Sequence, residues 1–450
     1  MPGRKSAVIL THGMGEQMPM ATLRGFVEAV WVHNPDIDGR RPDDPPELGN
    51  PVWWKPDTRN GSHELYRITT RSGGHRQGAE APRIDFFEFY WADLTTSTTT
   101  AQLRDWFMSL LLRRPSQVPG DVIGIWLMLW AATIAAIGLV SLQGLAQILD
   151  WKLDSWVKVA LWGFTALSAV FIAFAVAYFG DVAHYIRAKP ANIQARREIR
   201  KRGLELLQTL SKSGEYDRII LVGHSLGSVI AYDLVRLLWA EEYAARTFAP
   251  AGKVADALAK LRKAGESLNA NPDDPSLLDA YQTEQKGLFT SLREAHSDTR
   301  KRWLVSDLVT LGCPLTHAEF LIARNIEALQ QDVEARRLPS APPATEASGD
   351  YAYPVPDPTS AAMRLHHAAP FSLVRWTNIY DPARGALFGD VISGPVRGNF
   401  GAGIRDVAVR ISGRVPLLGR IFTHARYWDE DEGAARSLAT LRQALKLDER

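Results

Sequence analysis

A serine with a glycine two residues away on either side, Gly223-His224-Ser225-Leu226-Gly227, carries the strongest chemical signal in this sequence. A serine hydroxyl is a weak nucleophile until a base removes its proton. It must also stand clear of its neighbours, and a sharp strand–turn–helix does this when the residues two positions before and after are small. Gly223 and Gly227 meet that demand. Ile219–Val222 read as the strand, and Leu226, Val229, Ile230, Leu234 and Leu237 recur at helical spacing. The chemistry this predicts is acyl transfer through Ser225, against the plainer reading of a structural turn.

Attack on a carbonyl places negative charge on its oxygen, and fixed backbone N–H groups must receive that charge. Leu226, directly after the serine, supplies one donor. "THGMG" at 11–15 supplies a second from a turn just past a buried run, with Gly13 and Gly15 allowing close backbone approach and Met14 N–H as the donor. With such an elbow the order along the chain is serine, acid, histidine. The histidines after Ser225 are His296, His317, His366, His367 and His424, and only His424 follows the strand-like run at 371–380 far enough to leave room for an acid. Three acids lie between: Asp381 at the end of that run, Asp390 in "FGDVISGPV" and Asp406 in "GIRDVAV". Position relative to the strand end favours Asp381.

These groups need a scaffold. The opening "MPGRKSAVILTHG" reads as a short buried strand, Ala7 to Thr11, running into a Gly-rich turn, and not as a signal peptide. Pro35 to Pro56 reads as loop. "HELYRITTRS" and "RIDFFEFYW" read as a hairpin or neighbouring strands. "RWLVSDLVTLGCPL" and "FSLVRWTNIY" are further strands, residues 240–300 are charged and helical, 333–360 read as a mobile loop, and a short helix starts near Ala434. Strands alternate with helices through most of the chain, which predicts an α/β fold with a largely parallel sheet covered by helices.

Two runs stand apart. Val122 to Leu149 and Val159 to Gly180 contain no charged residue. Each exceeds the roughly 20 residues that cross a bilayer core, and Trp126, Trp130, Trp151, Trp156 and Trp162 fall near their ends. The expected organisation is therefore an N-terminal part of the core at 1–120, a transmembrane-like helical hairpin at 121–181, and the rest of the core at 182–450. The alternative is a pair of cap helices that form an acyl-binding lid; Gln143 and Gln147 within the first run favour it. Arg113 and Arg114 precede the runs, and Arg187, Lys189, Arg196, Arg197, Arg200, Lys201 and Arg202 follow, so the positive-inside rule puts both flanks in the cytoplasm. The expected location is the inner membrane, with the core facing the cytoplasm. The basic helix after the hairpin has an apolar stripe at Ile199, Leu204, Leu206, Leu207 and Leu210; its arginines can face anionic head groups or bulk water.

Over 450 residues, 52 Lys and Arg balance 50 Asp and Glu, so no global field calls for nucleic acid. The one cysteine, Cys313, excludes an internal disulfide framework. The histidines show no metal-ligand spacing such as H-E-x-x-H, and neither metal nor cofactor is expected.

On "THGMG" at 11–15, "GHSLG" at 223–227, "TLGCPL" at 310–315, "RWTNIYDP" with "GDVISGPV" across 375–396 and "HARYW" at 424–428, the chain resembles the α/β-hydrolase superfamily, and within it the lipase-like serine esterases of bacterial membrane-associated type. The resemblance spans most of the chain. It implies an α/β-hydrolase fold, and its pairing of a Trp-x-Asn strand with a later Asp-x-x-x-Gly-Pro turn moves the acid from Asp381 to Asp390. Cys313 departs from the pattern, standing where lipases often carry serine. It reads as packing beside the site, with a rival nucleophile as the weaker alternative. The resulting expectation is a membrane-anchored serine hydrolase of carboxylic esters, with an acyl lipid as the substrate. Acyl transfer or thioester cleavage through the same triad, and a catalytically silent membrane scaffold, are the competing readings.

Overall fold

The computed structural model describes residues 5–94, 111–148, 154–166, Tyr185 and 190–447, with short breaks at 15–17, 38, 41–42, 60–63, 72–74, 77–78, 81–82, 113, 116–117, 119, 297, 299–301, 358, 385–387 and 413–422. Short apolar runs become strands because burial on both sides suits continuous hydrophobic sequence. The strands of the main sheet are β1 (Lys5–Thr11), β2 (Val52–Pro56), β3 (Tyr66–Thr70), β4 (Arg83–Phe89), β5 (Arg218–His224), β6 (Val305–Leu311), β7 (Arg375–Tyr380) and β8 (Arg405–Ala408). They form one 8-stranded sheet in the order β8-β7-β6-β5-β1-β4-β3-β2. Every pairing from β8 to β4 is parallel, and β3 and β2 add on as antiparallel strands.

Alternate residues of the central strands serve two cores. Ala7 and Ile9 of β1, with Ile219 and Leu221 of β5, pack under helices α3 (Pro190–Lys212), α4 (Leu226–Glu242), α5 (Lys253–Ala270) and α6 (Pro275–Ala295). Val8, Leu10, Ile220 and Val222 face the other side, covered by α1 (Ala21–Val27) and the C-terminal helix Ala435–Leu445. The protein is thus an α/β structure with a mostly parallel sheet flanked by helices, as expected.

Three details differ from the sequence reading. Within the stretch read as loop, Val52–Pro56 forms edge strand β2. Its mostly exposed residues, Trp53 and Trp54 among them, give no in–out alternation to detect. The 333–360 stretch is not a loose loop. Ala341 and Tyr351 are buried, and Ala341 bonds Phe400 and Gly403 through its backbone N–H and carbonyl. The third concerns the apolar runs. Helix α2 (Gly120–Ile148) takes in the first run, although only some of its side chains are described. Residues 155–166 are helical and reach into the second, of which 167–180 lie outside the described residues. Among the described residues no helix is long and apolar enough to cross a membrane, so the expected transmembrane hairpin is not found there. What is visible is exposure: Leu127, Ile134, Ile137, Val140 and Leu145 on α2, and Trp156, Val159, Trp162 and Phe164 after it, all face outward.

The turn between β5 and α4 shows why glycine is required twice. A Cβ on Gly223 would lie 2.5 Å from Ser228 Cα, and one on Gly227 would land on the carbonyl oxygens of Thr11 and His12. Both obstacles are backbone and cannot swing away. Gly227→Ala is therefore expected to cost about 1–3 kcal/mol in chemical denaturation and to push the 11–14 turn away from Ser225, slowing fluorophosphonate labelling.

Candidate active site

Ser225 caps the N-terminus of α4 with φ 55° and ψ −128°. A non-glycine residue at positive φ is strained, and such strain persists only where the surroundings enforce it. Here Ser225 N–H donates to Leu311 O at 2.9 Å, and Ser225 O accepts from Ser228 N–H at 2.9 Å. Ser225 Oγ is buried and makes no hydrogen bond among the described residues.

The base candidate arrives from the other end of the chain. His424 sits in a single turn, Thr423–Ala425, over the end of β6. Gly312, at φ +61°, makes room for it: a Cβ there would meet His424 Cε1 at 2.9 Å and Tyr427 Cε2 at 3.0 Å. The peptide before Gly312 is the one whose carbonyl holds Ser225 N–H, so Ser225 and the imidazole share the rim of one strand.

His424 Nδ1 lies 2.8 Å from Asp390 Oδ2. A carboxylate only accepts, so Nδ1 carries the proton and Nε2 is left as the basic nitrogen. Asp390 is fully buried, which by itself raises its pKa. The charge of His424 and hydrogen bonds from His424, Tyr427 and Ser393 outweigh burial and hold the carboxyl down at about 2. Asp390 Oδ1 also accepts from Ile392 N–H at 3.1 Å. The strand-end rule pointed to Asp381, and the structure gives that residue a different task. Its Oδ2 accepts from Thr423 Oγ1 at 2.7 Å and its Oδ1 from Arg384 at 3.2 Å. Asp381 thus secures the residue before His424, while Asp390 contacts the ring. Asp406 is engaged elsewhere, accepting from Asn378 Nδ2 at 2.7 Å and from the backbone of Val396 and Arg397.

A depressed carboxyl is a stability statement. Asp390 stabilises the fold above the ordinary carboxylate pKa near 4 and loses that contribution as pH falls through about 2. The shift corresponds to about 2 kcal/mol. Wild type is expected to lose about that much more stability than Asp390→Asn between pH 4 and pH 2, read from urea denaturation at each pH.

The turn expected to offer Met14 is organised around His12, the histidine of the His-Gly pair, whose bonds the motif does not reveal. His12 Nδ1 bonds Gly13 O at 2.8 Å, and His12 Nε2 accepts from Trp91 N–H at 3.3 Å. The Trp91 indole donates back to His12 O at 3.2 Å, and the two rings stack at 5.0 Å. Burial lowers His12 to about 4, so it is neutral at pH 7. The following turn is thereby pinned to the end of β4. A Cβ on Gly13 would touch Ser225 Cβ at 3.0 Å, which brings the Gly13–Met14 peptide against Ser225. Leu226 N–H opens α4, where the first helical donors have no intrahelical acceptor. Gly15 lies outside the described residues.

Tyr427 was also missed. Its hydroxyl donates to Asp390 Oδ2 at 2.6 Å, contacts Ser393 Oγ at 3.0 Å and accepts from Asp381 N–H at 3.1 Å. Its only signal in the sequence was proximity to His424. The Trp-x-Asn strand acquires a reason as well. Asn378 accepts from Thr310 Oγ1 at 2.9 Å and donates to Gly394 O at 3.0 Å, linking β6 and β7 to the turn that carries Asp390. Cys313 is fully buried and its thiol is pushed up to about 12, a packing residue and not a thiolate. Among the described residues no group of three or more His, Cys, Asp or Glu side chains is placed to hold a metal ion.

In the comparisons with known proteins, no family model, no curated protein and no solved structure matches the chain.

Proposed function

We propose that this chain is a membrane-associated serine hydrolase of the α/β-hydrolase type that cleaves carboxylic esters, with acyl lipids as its substrates. One observation carries the reading: a buried His424–Asp390 pair at 2.8 Å, set on the same strand rim as a strained elbow serine whose hydroxyl makes no hydrogen bond among the described residues. In the proposed reaction Ser225 Oγ attacks the ester carbonyl as His424 Nε2 takes its proton, and Asp390 steadies the resulting imidazolium. Leu226 and Met14 N–H groups receive the charge on the carbonyl oxygen. The proton passes to the leaving alcohol, an acyl-Ser225 remains, and water activated by His424 releases the acid. None of these steps calls for a metal or cofactor.

The outward apolar side chains of residues 127–164 support attachment to a lipid surface. Basic residues from Arg196 to Arg202 follow on α3, which favours the cytoplasmic face of the inner membrane. Turnover of a lipid-ester panel in detergent by wild type, and its absence in Ser225→Ala, is the expected result. Failure of wild type on every ester, together with no fluorophosphonate labelling, would overturn the hydrolase reading. Release of the protein from membranes by alkaline carbonate would overturn its insertion into them.

A further inference from the structure

We propose that His224, the residue immediately before the nucleophile, is a positioning residue that clamps the base loop by donating its Nε2–H to the main-chain carbonyl of His424. The proposal rests on the reading of Ser225 and His424 as nucleophile and base. His224 Nε2 lies 2.7 Å from His424 O, across 200 residues of sequence. A carbonyl can only accept, so Nε2 carries the proton. The opposite edge of the ring faces the donor turn: a Cβ on Gly13 would sit 3.1 Å from His224 Nδ1. One buried imidazole therefore bridges the turn that offers Met14 and the turn that offers His424, and its own backbone leads directly into Ser225.

The ring is fixed from several sides. It meets the His424 ring at 5.1 Å, tilted, and the Trp428 ring edge-on at 5.0 Å. The base turn is also held by Thr423 through Asp381 and by the His424–Asp390 bond itself. Those two contacts fix what precedes the histidine and the far side of its ring. The carbonyl bond fixes the backbone from which the imidazole departs, and so determines where Nε2 points. Misplacing a catalytic group by about 1 Å can cost about 10²-fold in rate. Burial lowers His224 to about 3, with the neighbouring His424 acting in the same direction, so the clamp brings no second positive charge beside the imidazolium formed during turnover.

Two substitutions separate the hydrogen bond from mere packing. Glutamine places an N–H donor the same number of bonds from Cα as histidine Nε2, whereas phenylalanine fills the space without a donor. His224→Phe is expected to lower kcat about 10²-fold with little change in KM, and His224→Gln to stay within a few-fold of wild type. Rates are to be normalised to the fraction of Ser225 titrated by a fluorophosphonate, so that unfolded protein is not counted. Wild-type kcat in His224→Phe would overturn the clamp, as would equal impairment of both variants, which would mean that a donor at this position does not hold the base turn. Wild-type protein that resists the fluorophosphonate altogether would instead overturn the underlying hydrolase reading.

Discussion

Ser225→Ala is expected to abolish covalent labelling by a fluorophosphonate and to lower ester turnover by about 10⁴-fold or more, with the fold intact. The size of the effect follows from chemistry: without Oγ there is no acyl-enzyme, and what remains is binding and stabilisation of charge by the donor turn. The fold survives because Ser225 Oγ makes no hydrogen bond among the described residues, so removing it breaks nothing. The positive φ of 55° is set by the backbone bonds to Leu311 and Ser228 and not by the side chain. Active-site titration, turnover and thermal melting on one preparation check all three points. Persistent labelling in the variant, or a fall in turnover explained by lost structure, would count against Ser225 as the nucleophile.

The second large effect separates two aspartates. Asp390→Asn is expected to lower kcat by about 10⁴-fold, because an amide in place of the carboxylate can donate to His424 Nδ1 and so leave the proton on the wrong nitrogen. It also removes the negative charge that offsets the imidazolium. Asp381→Asn is expected to act far more weakly, on the order of 10-fold, since its contacts run to Thr423 and Arg384 and not to the ring. Burial raises the carboxyl of Asp381, whereas that of Asp390 is held at about 2. This is the contrast expected of a supporting group and a permanently charged one. Parallel kcat measurements on the two variants check it, and equal losses would contradict the division of labour.

How much of this was legible beforehand depended on the range of each interaction. The elbow at Ser225 is a local event, its glycines and flanking apolar runs lie within one short stretch, and it could be read directly. His424 followed only from chain order, because nothing within "FTHARYW" marks a base. The acid was beyond local reasoning. Asp381 has the better position at its strand end, yet the turn that aims Asp390 is built by Asn378, Gly394 and Tyr427, which no spacing rule connects. His12 and His224 were visible as motif letters, but their tasks lie in bonds to Trp91 and to His424, 79 and 200 residues away. Strand β2 escaped because it lies at an exposed edge, and the order in 333–360 because a few buried residues, Ala341 and Tyr351, organise an otherwise polar stretch.

The strand order carries one more consequence. β4 and β5 lie on opposite sides of β1, about 10 Å apart at the usual strand spacing, and α3 fills the crossover between them with Ile199, Leu206, Leu207 and Leu210. Among the described residues, no strand of the main sheet lies between Phe89 and Arg218. The described apolar helix Gly120–Ile148 therefore lies within a connection and contributes no strand to that sheet. A change in that helix need not alter the pairings of β1 with β4 and β5, so on the proposed reading where such a protein settles and what it cleaves would be free to evolve apart.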